Sequence, residues 1–232
     1  MCTLSKVKIR KIHPWHVSPK QAIEIQNNLR ARVHLKKCPG AIRYIAGMDV
    51  SSSRRSSKVW AGVVVLKYED LSKAEEKWVS QETDFPYVPG LLSFREIPAM
   101  LEALEDLKTN PDVILCDGQG IAHPRGLGLA SHLGILLGRA TIGCAKSRLV
   151  GEYSHLGKTK GSYSELLYEG RVVGAVARTR TGVRPIFVSP GHLITLEEAL
   201  EVTFRSCTKY RLPEPTRLAH ILVNRIRRRE EP

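Results

Sequence analysis

The sequence predicts an α/β fold in which a mixed sheet, an antiparallel meander followed by parallel strands, is flanked by helices. Three strand-like runs follow one another with only short polar links between them, and short links favour antiparallel neighbours. Further along, strand-like and helix-like segments alternate, which is typical of parallel strands joined by helices. The chain has 232 residues, 42% of them hydrophobic, which suffices for a sizeable buried core. We therefore expect a single domain.

The amino-terminal half is expected to hold two helices around the meander. A Ser-Pro pair opens an amphipathic pattern over 18–37, which predicts a capped helix that Pro39-Gly40 stops. A proline-rich turn over 85–90 precedes a second helix over 93–107, where apolar residues recur at helical spacing. The three strands between these helices are predicted over 43–50, 58–68 and 76–82.

The carboxyl-terminal half alternates buried strands and helices. Apolar runs predict a strand over 112–116, a buried helix over 126–137 and a second buried strand over 141–145. The remaining segments are expected to add an edge hairpin and covering helices. Their strands are predicted over 163–168, 172–177 and 185–188, and their helices over 196–207 and 216–229.

The charge balance favours a polyanionic partner. The chain carries 36 Lys and Arg against 23 Asp and Glu, a net charge of +13, so nucleic acid is the leading partner, although basic proteins without such a role are also common. A membrane-surface role is weaker, because the basic residues are spread over the chain. No membrane span is expected, because the longest apolar stretch without a formal charge, 126–138, is shorter than the roughly 20 residues of a bilayer span. With no apolar signal segment near the amino end, we expect a cytoplasmic protein, and a monomer.

Strand direction predicts where the polar residues converge. In a meander the first and third strands point the same way, and crossover helices make the fourth and fifth strands parallel to them. Their carboxyl ends then share one edge of the sheet, where open sheets of this type place their sites. Asp49 lies near the end of the first strand, Asp117 follows the fourth and Lys146 follows the fifth. Glu96, in the first turns of its helix, is expected over the same edge.

Three carboxylates at one edge predict a metal site. Like charges this close would shift their pKa values rather than stay ionised, and a hard divalent cation such as Mg²⁺ or Mn²⁺ resolves the repulsion. The chemistry expected of such a site is metal-assisted phosphodiester hydrolysis. Sequence spacing leaves simpler interpretations open: an Asp after a strand is commonly a turn residue, Glu96 suits a helix dipole, and Lys146 suits solvent.

Six ordered blocks of sequence resemble one known family, endonuclease V. They are AGMD (46–49), FPYVPGLLSFRE (85–96), CDGQGIAHPRGLGLASH (116–132), IGCAKSRL (142–149), FVSPGH (187–192) and PEPTRLAH (213–220). The resemblance implies a ribonuclease H-like fold and an enzyme that nicks nucleic acid near deaminated bases. It also divides the single domain, 1–232, into an amino-terminal helical segment (1–41), a motif-bearing core (42–220) and a basic tail (221–232).

The resemblance assigns roles in catalysis to five positions. Asp49, Glu96 and Asp117 match the family's metal-binding acidic triad. His220 matches a histidine near that metal centre. Lys146 matches a basic residue that stabilises phosphate charge or positions water. We therefore expect Mg²⁺ as the cofactor, with Mn²⁺ able to replace it.

The resemblance also assigns a base-binding pocket. Tyr87 matches a wedge that inserts where the damaged base leaves the stack, although packing against the neighbouring prolines is the alternative for a tyrosine in this turn. His123 and His132 fall in matching blocks and are included with the substrate-binding residues. The positions that match the pocket for the flipped base, largely through backbone groups, are Gly90, Leu92, Gly118, Gly120, Gly128 and Leu129.

The activity that the resemblance implies is a Mg²⁺-dependent DNA repair endonuclease acting at deoxyinosine. It would hydrolyse the second phosphodiester on the 3′ side of the lesion and leave 3′-hydroxyl and 5′-phosphate ends. Hypoxanthine carries a carbonyl where adenine has an amino group, so a pocket of backbone N–H donors can select it. The alternatives are a related nuclease of other specificity, for inosine-containing RNA or junction DNA, and a non-catalytic nucleic-acid binder on the same scaffold.

Overall fold

The computed structural model describes residues 8–53 and 55–231; residues 1–7 of the expected amino-terminal segment, Arg54 and Pro232 lie outside the described residues. The strands are β1 (Tyr44–Ser52), β2 (Lys58–Lys67), β3 (Lys73–Glu82), β4 (Val113–Cys116), β5 (Ala140–Ala145), β6 (Tyr163–Tyr168), β7 (Arg171–Ala177) and β8 (Ile186–His192). The α-helices are α1 (Pro19–Leu29), α2 (Leu92–Glu105), α3 (Leu129–Leu137), α4 (Leu196–Ser206) and α5 (Glu214–Glu230).

All eight described strands form one sheet, in the order β3-β2-β1-β4-β5-β8-β7-β6. β1, β2 and β3 pair antiparallel, whereas β4 is parallel to β1 and β5 is parallel to β4. This confirms the predicted mixed sheet and the shared direction of β1, β4 and β5. β8 lies antiparallel between β5 and β7, and the β6–β7 hairpin forms the far edge. No helix among the described residues has the length and apolar character to cross a bilayer.

Helices cover both faces of the sheet. Successive strand residues point to opposite faces, so Ile45 packs in one core and Met48 in the other. The core of Ile45 includes Leu222 of α5 and residues of α4, and the core of Met48 includes Met100 of α2 and Leu133 of α3. The edge of the sheet therefore lies between an α2–α3 layer and an α4–α5 layer.

Gly47 lets α5 rest directly on the backbone of β1. A Cβ atom at this position would lie 2.0 Å from the carbonyl carbon of Pro215 and 2.3 Å from the nitrogen of Thr216. Backbone atoms at that distance cannot move aside as a flexible side chain does. The glycine thus sets how closely the first turn of α5 approaches the strand that carries Asp49.

The first helix is shorter than the sequence predicts. Ser18 caps α1 through a capping box with Gln21, as expected, but α1 ends at Leu29 and a single 3-10 turn follows. The prediction of a helix to residue 37 is wrong because this stretch is tied to other parts of the chain. The backbone N–H of His34 donates to the His192 ring at 3.2 Å, and the His34 carbonyl accepts from the N–H of Leu193 at 2.7 Å.

Two further bounds differ from the prediction. α3 begins at Leu129 instead of 126, because Gly126 has a left-handed φ of +67° and Gly128 is extended at the N-cap. β8 continues through Pro190 to His192 instead of ending at 188. A register shift in the pairing with β5 accommodates this proline, which sequence rules place only at edges or bulges. The other predicted bounds agree with the structure to within three residues.

Candidate active site

The sheet edge brings together two carboxylates and a histidine from three distant parts of the chain. Asp49 lies in β1, Asp117 directly follows β4, and His220 lies in the second turn of α5. One oxygen from each carboxylate and one ring nitrogen lie within 4.8 Å of one another. The His220 Nδ1 and Asp49 Oδ2 atoms are 2.7 Å apart, although 171 positions separate them in sequence. The three groups are close enough to ligate one cation.

Lys146 and Glu96 complete this acidic cluster. The Lys146 ammonium, at the end of β5, donates to Oδ2 of Asp117. Glu96, in the second turn of α2, lies outside the group that converges within 4.8 Å. Burial nevertheless raises the pKa of Glu96 well above its usual value, and the charges of Asp49 and Asp117 raise it further. All five residues that the resemblance assigned to catalysis thus meet at this edge.

The electrostatics of the cluster fit a divalent cation. Burial raises the pKa of Asp117 and the charge of Asp49 adds to this, while Lys146 opposes both. The pKa of His220 is raised, chiefly because its ring bonds to the Asp49 carboxylate. The carboxylates are therefore crowded, and a cation would relieve their repulsion. Carboxylate oxygen and imidazole nitrogen are a donor set that suits hard or borderline divalent ions.

A cavity of about 380 Å³ opens beside Asp117 and Lys146. Its size is at the lower end of the range of small-molecule sites. Gln26 of α1, Leu92 of α2 and the first residue of α3 contribute to its wall. The residues that the resemblance placed in the base pocket and that line this cavity are Tyr87, Gly90, Leu92, Gly118, His123, Gly128 and Leu129.

Tyr87 projects from an anchored turn at the mouth of the cavity. Its side chain is 73% exposed, so it is not held by packing against the neighbouring prolines. On either side of it, Phe85 and Leu91 are buried in a cluster with Phe94. The turn is therefore fixed at both ends while the aromatic ring faces solvent.

A family model for endonuclease V matches residues 27–221, which include every residue of the acidic cluster. The chain belongs to the endonuclease V family. Endonuclease V of Dehalococcoides mccartyi strain BAV1 is 51% identical over 215 residues, covering 93% of this chain and 96% of the relative. That of Trichormus variabilis is 48% identical over 219 residues, covering 94% and 99%. Family membership makes the protein a metal-dependent nuclease that hydrolyses phosphodiester bonds.

Solved structures of endonuclease V share the fold. That of Streptomyces avermitilis superposes with a TM-score of 0.90 at 40% identity, covering 98% of this chain and all of the other. A Ciona intestinalis endonuclease V variant, in complex with a 23mer DNA containing an inosine followed by a ribo-adenosine, gives 0.83 at 29% identity, covering 93% and 100%. The predicted ribonuclease H-like mixed sheet is confirmed.

Two predicted pocket residues of this endonuclease V lie behind the cavity wall. The Gly120 N–H donates to Ser189 Oγ at 2.7 Å, and a Cβ at Gly120 would lie 2.1 Å from the Pro190 carbonyl oxygen. His132 is fully buried, and its Nδ1 pairs at 3.0 Å with the hydroxyl of Ser93, which lines the cavity. Neither residue lines the cavity itself. Both support residues that do.

Gln26 and Arg125 are site residues that sequence reasoning missed. Gln26 Nε2 donates to the carbonyl oxygens of Gly90 (3.0 Å) and Leu127 (3.2 Å), and an Arg125 guanidinium nitrogen donates to the Gly90 oxygen at 2.7 Å. His123 Nδ1 accepts from the Arg125 N–H, so its Nε2 carries the proton that bonds the same oxygen at 3.0 Å. Gly90 has a φ of +78°, a left-handed conformation that favours glycine. Gln26 could have been noticed as a polar residue on the buried stripe of α1.

Arg211 fixes the end of β5 that carries Lys146. Its guanidinium donates at 2.7 Å to the carbonyl oxygens of Lys146 and Pro185, and its own carbonyl accepts from Thr179 Oγ1 at 2.6 Å. Three separate loops are therefore joined at this arginine. The interaction holds the Lys146 backbone in place beside Asp117.

Buried neutral histidines predict a loss of stability in acid. Burial lowers the pKa of His132 to about 3 and those of His123 and His192 to about 4. Below the ordinary value of 6.5 the unfolded chain takes up protons that the native chain does not. Each histidine should therefore lower the free energy of unfolding by up to about 1.4 kcal/mol per pH unit as pH falls from 6.5 toward its native pKa.

The variant His132→Gln tests this pH dependence. Its free energy of unfolding is measured by urea unfolding in EDTA from pH 7.5 down to 4.5. Plotted against pH, this free energy should fall less steeply than that of the wild type, by the contribution of one histidine. His155→Gln is the control, because His155 is exposed, and its slope should match the wild type. Equal slopes for all three proteins would refute the neutral state of His132.

Proposed function

We propose that this endonuclease V cuts DNA at deoxyinosine, hydrolysing the second phosphodiester on the 3′ side of the lesion and leaving 3′-hydroxyl and 5′-phosphate ends. Mg²⁺ is the proposed ion, with Mn²⁺ as a substitute, and one domain spanning 1–232 acts as a monomer. The observation that carries the proposal is the cavity that adjoins the acidic cluster, with Tyr87 exposed at its mouth. The inosine-containing DNA bound by the Ciona intestinalis enzyme supports the choice of base.

Selection of the base rests on donors of the main chain. α3 begins with Leu129 at the cavity wall, and Gly128 supplies no side-chain cap. The first N–H groups of a helix have no partner inside the helix. The N–H of Ala130 donates to the Gln119 carbonyl oxygen and that of Gly128 to the Gly120 carbonyl oxygen, so the N–H of Leu129 is the donor that this end offers to an acceptor in the cavity. The hypoxanthine carbonyl is such an acceptor, whereas the adenine amino group is a donor and would be rejected.

Hydrolysis is assigned to the acidic cluster. Asp49, Asp117 and His220 are the residues that would hold the ion, with Glu96 beside them. The bound ion supplies charge stabilisation at the phosphate and activates water. Lys146, held by Asp117 at the mouth of the cavity, is placed to offset the negative charge that develops on the phosphate. The cavity wall orients the strand so that the bond to be cut lies over the cluster.

Tyr87→Ala tests the proposed function on matched oligonucleotides. DNA duplexes, RNA strands and junction DNA are compared, each with inosine or adenine at one position. Wild type should cut inosine DNA and spare adenine DNA. The variant should lose about tenfold to a hundredfold in kcat/KM on inosine DNA, because stacking on an aromatic ring contributes about 1–3 kcal/mol per base. Its melting temperature should not change, since the side chain is exposed.

Tyr163→Ala is the matched control, because Tyr163 is 56% exposed on the far strand of the sheet. Its activity should equal that of the wild type. If inosine selectivity survives in Tyr87→Ala, the wedge role is wrong. Faster cleavage of inosine RNA or junction DNA than of inosine DNA would instead favour the alternative specificities.

A further inference from the structure

An exposed face of α5 continues away from the acidic cluster. His220, Asn224 and Arg228 follow one another at intervals of four residues, and Ile221 and Arg225 lie beside them. These five residues line one open groove on the outer side of the helix. The groove begins at His220, the residue that contacts Asp49. Asn224 follows it, and its Nδ2 donates to the His220 carbonyl oxygen at 2.8 Å. From His220 to Arg228 the groove extends about 12 Å along the helix.

The groove and the base cavity lie on opposite faces of the sheet. The cavity wall includes Leu92 of α2 and Leu129 of α3, whereas α5 packs on the other face with Leu222 and Val223. The acidic cluster lies at the edge between the two layers. A strand with its base in the cavity and a phosphate at the cluster therefore passes from one layer to the other, and the next helix surface it meets is that of α5.

The charges along this face suit phosphate. Arg228 is exposed, and Arg225 has a half-exposed ion pair with Glu76 at 3.3 Å, a type of contact that contributes little. The acids at the end of α5 are engaged elsewhere. Glu230 accepts from Lys58 and from the Trp60 ring, and Glu231 accepts from a serine of the β1–β2 turn. The groove itself thus presents two arginines and an amide.

We infer that this face of α5 binds backbone phosphates of the cleaved strand on the 3′ side of the cut. The inference rests on the proposed function, because the direction follows from a cut placed 3′ to a base held in the cavity. The groove holds no wall that would enclose a base, so its contacts are with phosphate and do not depend on sequence. It acts as an extended binding track that begins at His220.

The double variant Arg225→Ala with Arg228→Ala tests the inference by binding alone. Affinity for an inosine duplex is measured by fluorescence anisotropy in EDTA over a range of salt concentrations. Two lost phosphate contacts should lower the slope of log K against log salt by about 1.8 and weaken binding by about tenfold near physiological salt. The control is Arg43→Ala with Lys67→Ala. These two exposed cations lie just before β1 and at the end of β2, away from Asp49, and their loss lowers the net charge equally. The slope of this control should equal that of the wild type.

Trimmed duplexes test the direction. Shortening the inosine strand on its 3′ side should weaken the wild type and leave the double variant almost unaffected, whereas shortening on the 5′ side should weaken both equally. Two results would overturn the inference. One is a salt slope in the double variant equal to that of the wild type. The other is an affinity difference between the two proteins that disappears when the 5′ side of the strand is shortened and not when the 3′ side is. The slope is also measured on adenine duplexes, so a failure of inosine preference counts against the proposed function and not against the track.

Discussion

Asp117→Asn should abolish cleavage while leaving the protein folded and able to bind inosine DNA. Asp117 shares the converging group with Asp49 and His220 and also accepts from Lys146, so its charge serves both the ion and the lysine. An amide of the same shape keeps the packing but removes that charge. Losing several kcal/mol of transition-state stabilisation corresponds to at least about a thousandfold in kcat/KM.

Stability separates this outcome from simple unfolding. The pKa of Asp117 is raised in the native protein, so its charge is unfavourable there without an ion, and the variant should unfold in EDTA at the same temperature as wild type or higher. A Mg²⁺ titration should raise the wild-type melting temperature more than that of the variant. Asp106→Asn, at the exposed far end of α2, is the control and should behave as wild type. Retained cleavage in Asp117→Asn would contradict the assignment of the site.

Gly47→Ala should lower both stability and activity, although Gly47 touches neither ion nor DNA. Its new Cβ would lie 2.0 Å from the Pro215 backbone, so the first turn of α5 must move by more than about 1 Å to reach an ordinary van der Waals distance. Overpacking of this kind costs about 1–3 kcal/mol or more in the free energy of unfolding. The same movement carries His220 away from Asp49, and a 1 Å misplacement costs about a hundredfold in rate.

Gly62→Ala is the matched control for this substitution. Gly62 lies on the neighbouring strand under the same helix, but its Cβ would meet a side-chain methyl group of Val223 at 2.6 Å instead of backbone. The control should lose less stability than Gly47→Ala and keep most of its activity. Urea unfolding and kcat/KM on inosine DNA measure the two effects. Equal behaviour of the two variants would show that the approach of α5 to β1 does not position the site.

The sequence predicted the sheet edge because local patterns and connection lengths determine strand direction. Short links gave the meander, helical crossovers gave the parallel strands, and both placed Asp49, Asp117 and Lys146 together. His220 was different. No spacing rule brings a residue of α5 to a strand 171 positions earlier, so only the resemblance to endonuclease V indicated its place.

Long-range contacts explain what the sequence did not predict. α1 stops early because His34 bonds to β8 and to the residue that follows it, although the local pattern continued. In the sequence Gln26 is one polar residue among many, and only the structure shows that its partners, Gly90 and Leu127, lie beside it. β8 passes through Pro190 only because its partner strand shifts register there. In each case tertiary packing overrides a sound local preference.

The placement of the acidic cluster between two helical layers has a consequence for how new specificities could arise. The wall that surrounds the base belongs largely to the α2–α3 side, whereas the histidine that meets the carboxylates comes from α5 on the other side. Asp117 and Lys146 line the cavity from the sheet edge, but much of the rest of its wall comes from α1, the start of α3 and the turn that carries Tyr87, which hold none of the hydrolytic residues. A lineage with this architecture can change which base it accepts by substitutions in those segments while the residues that break the bond are preserved.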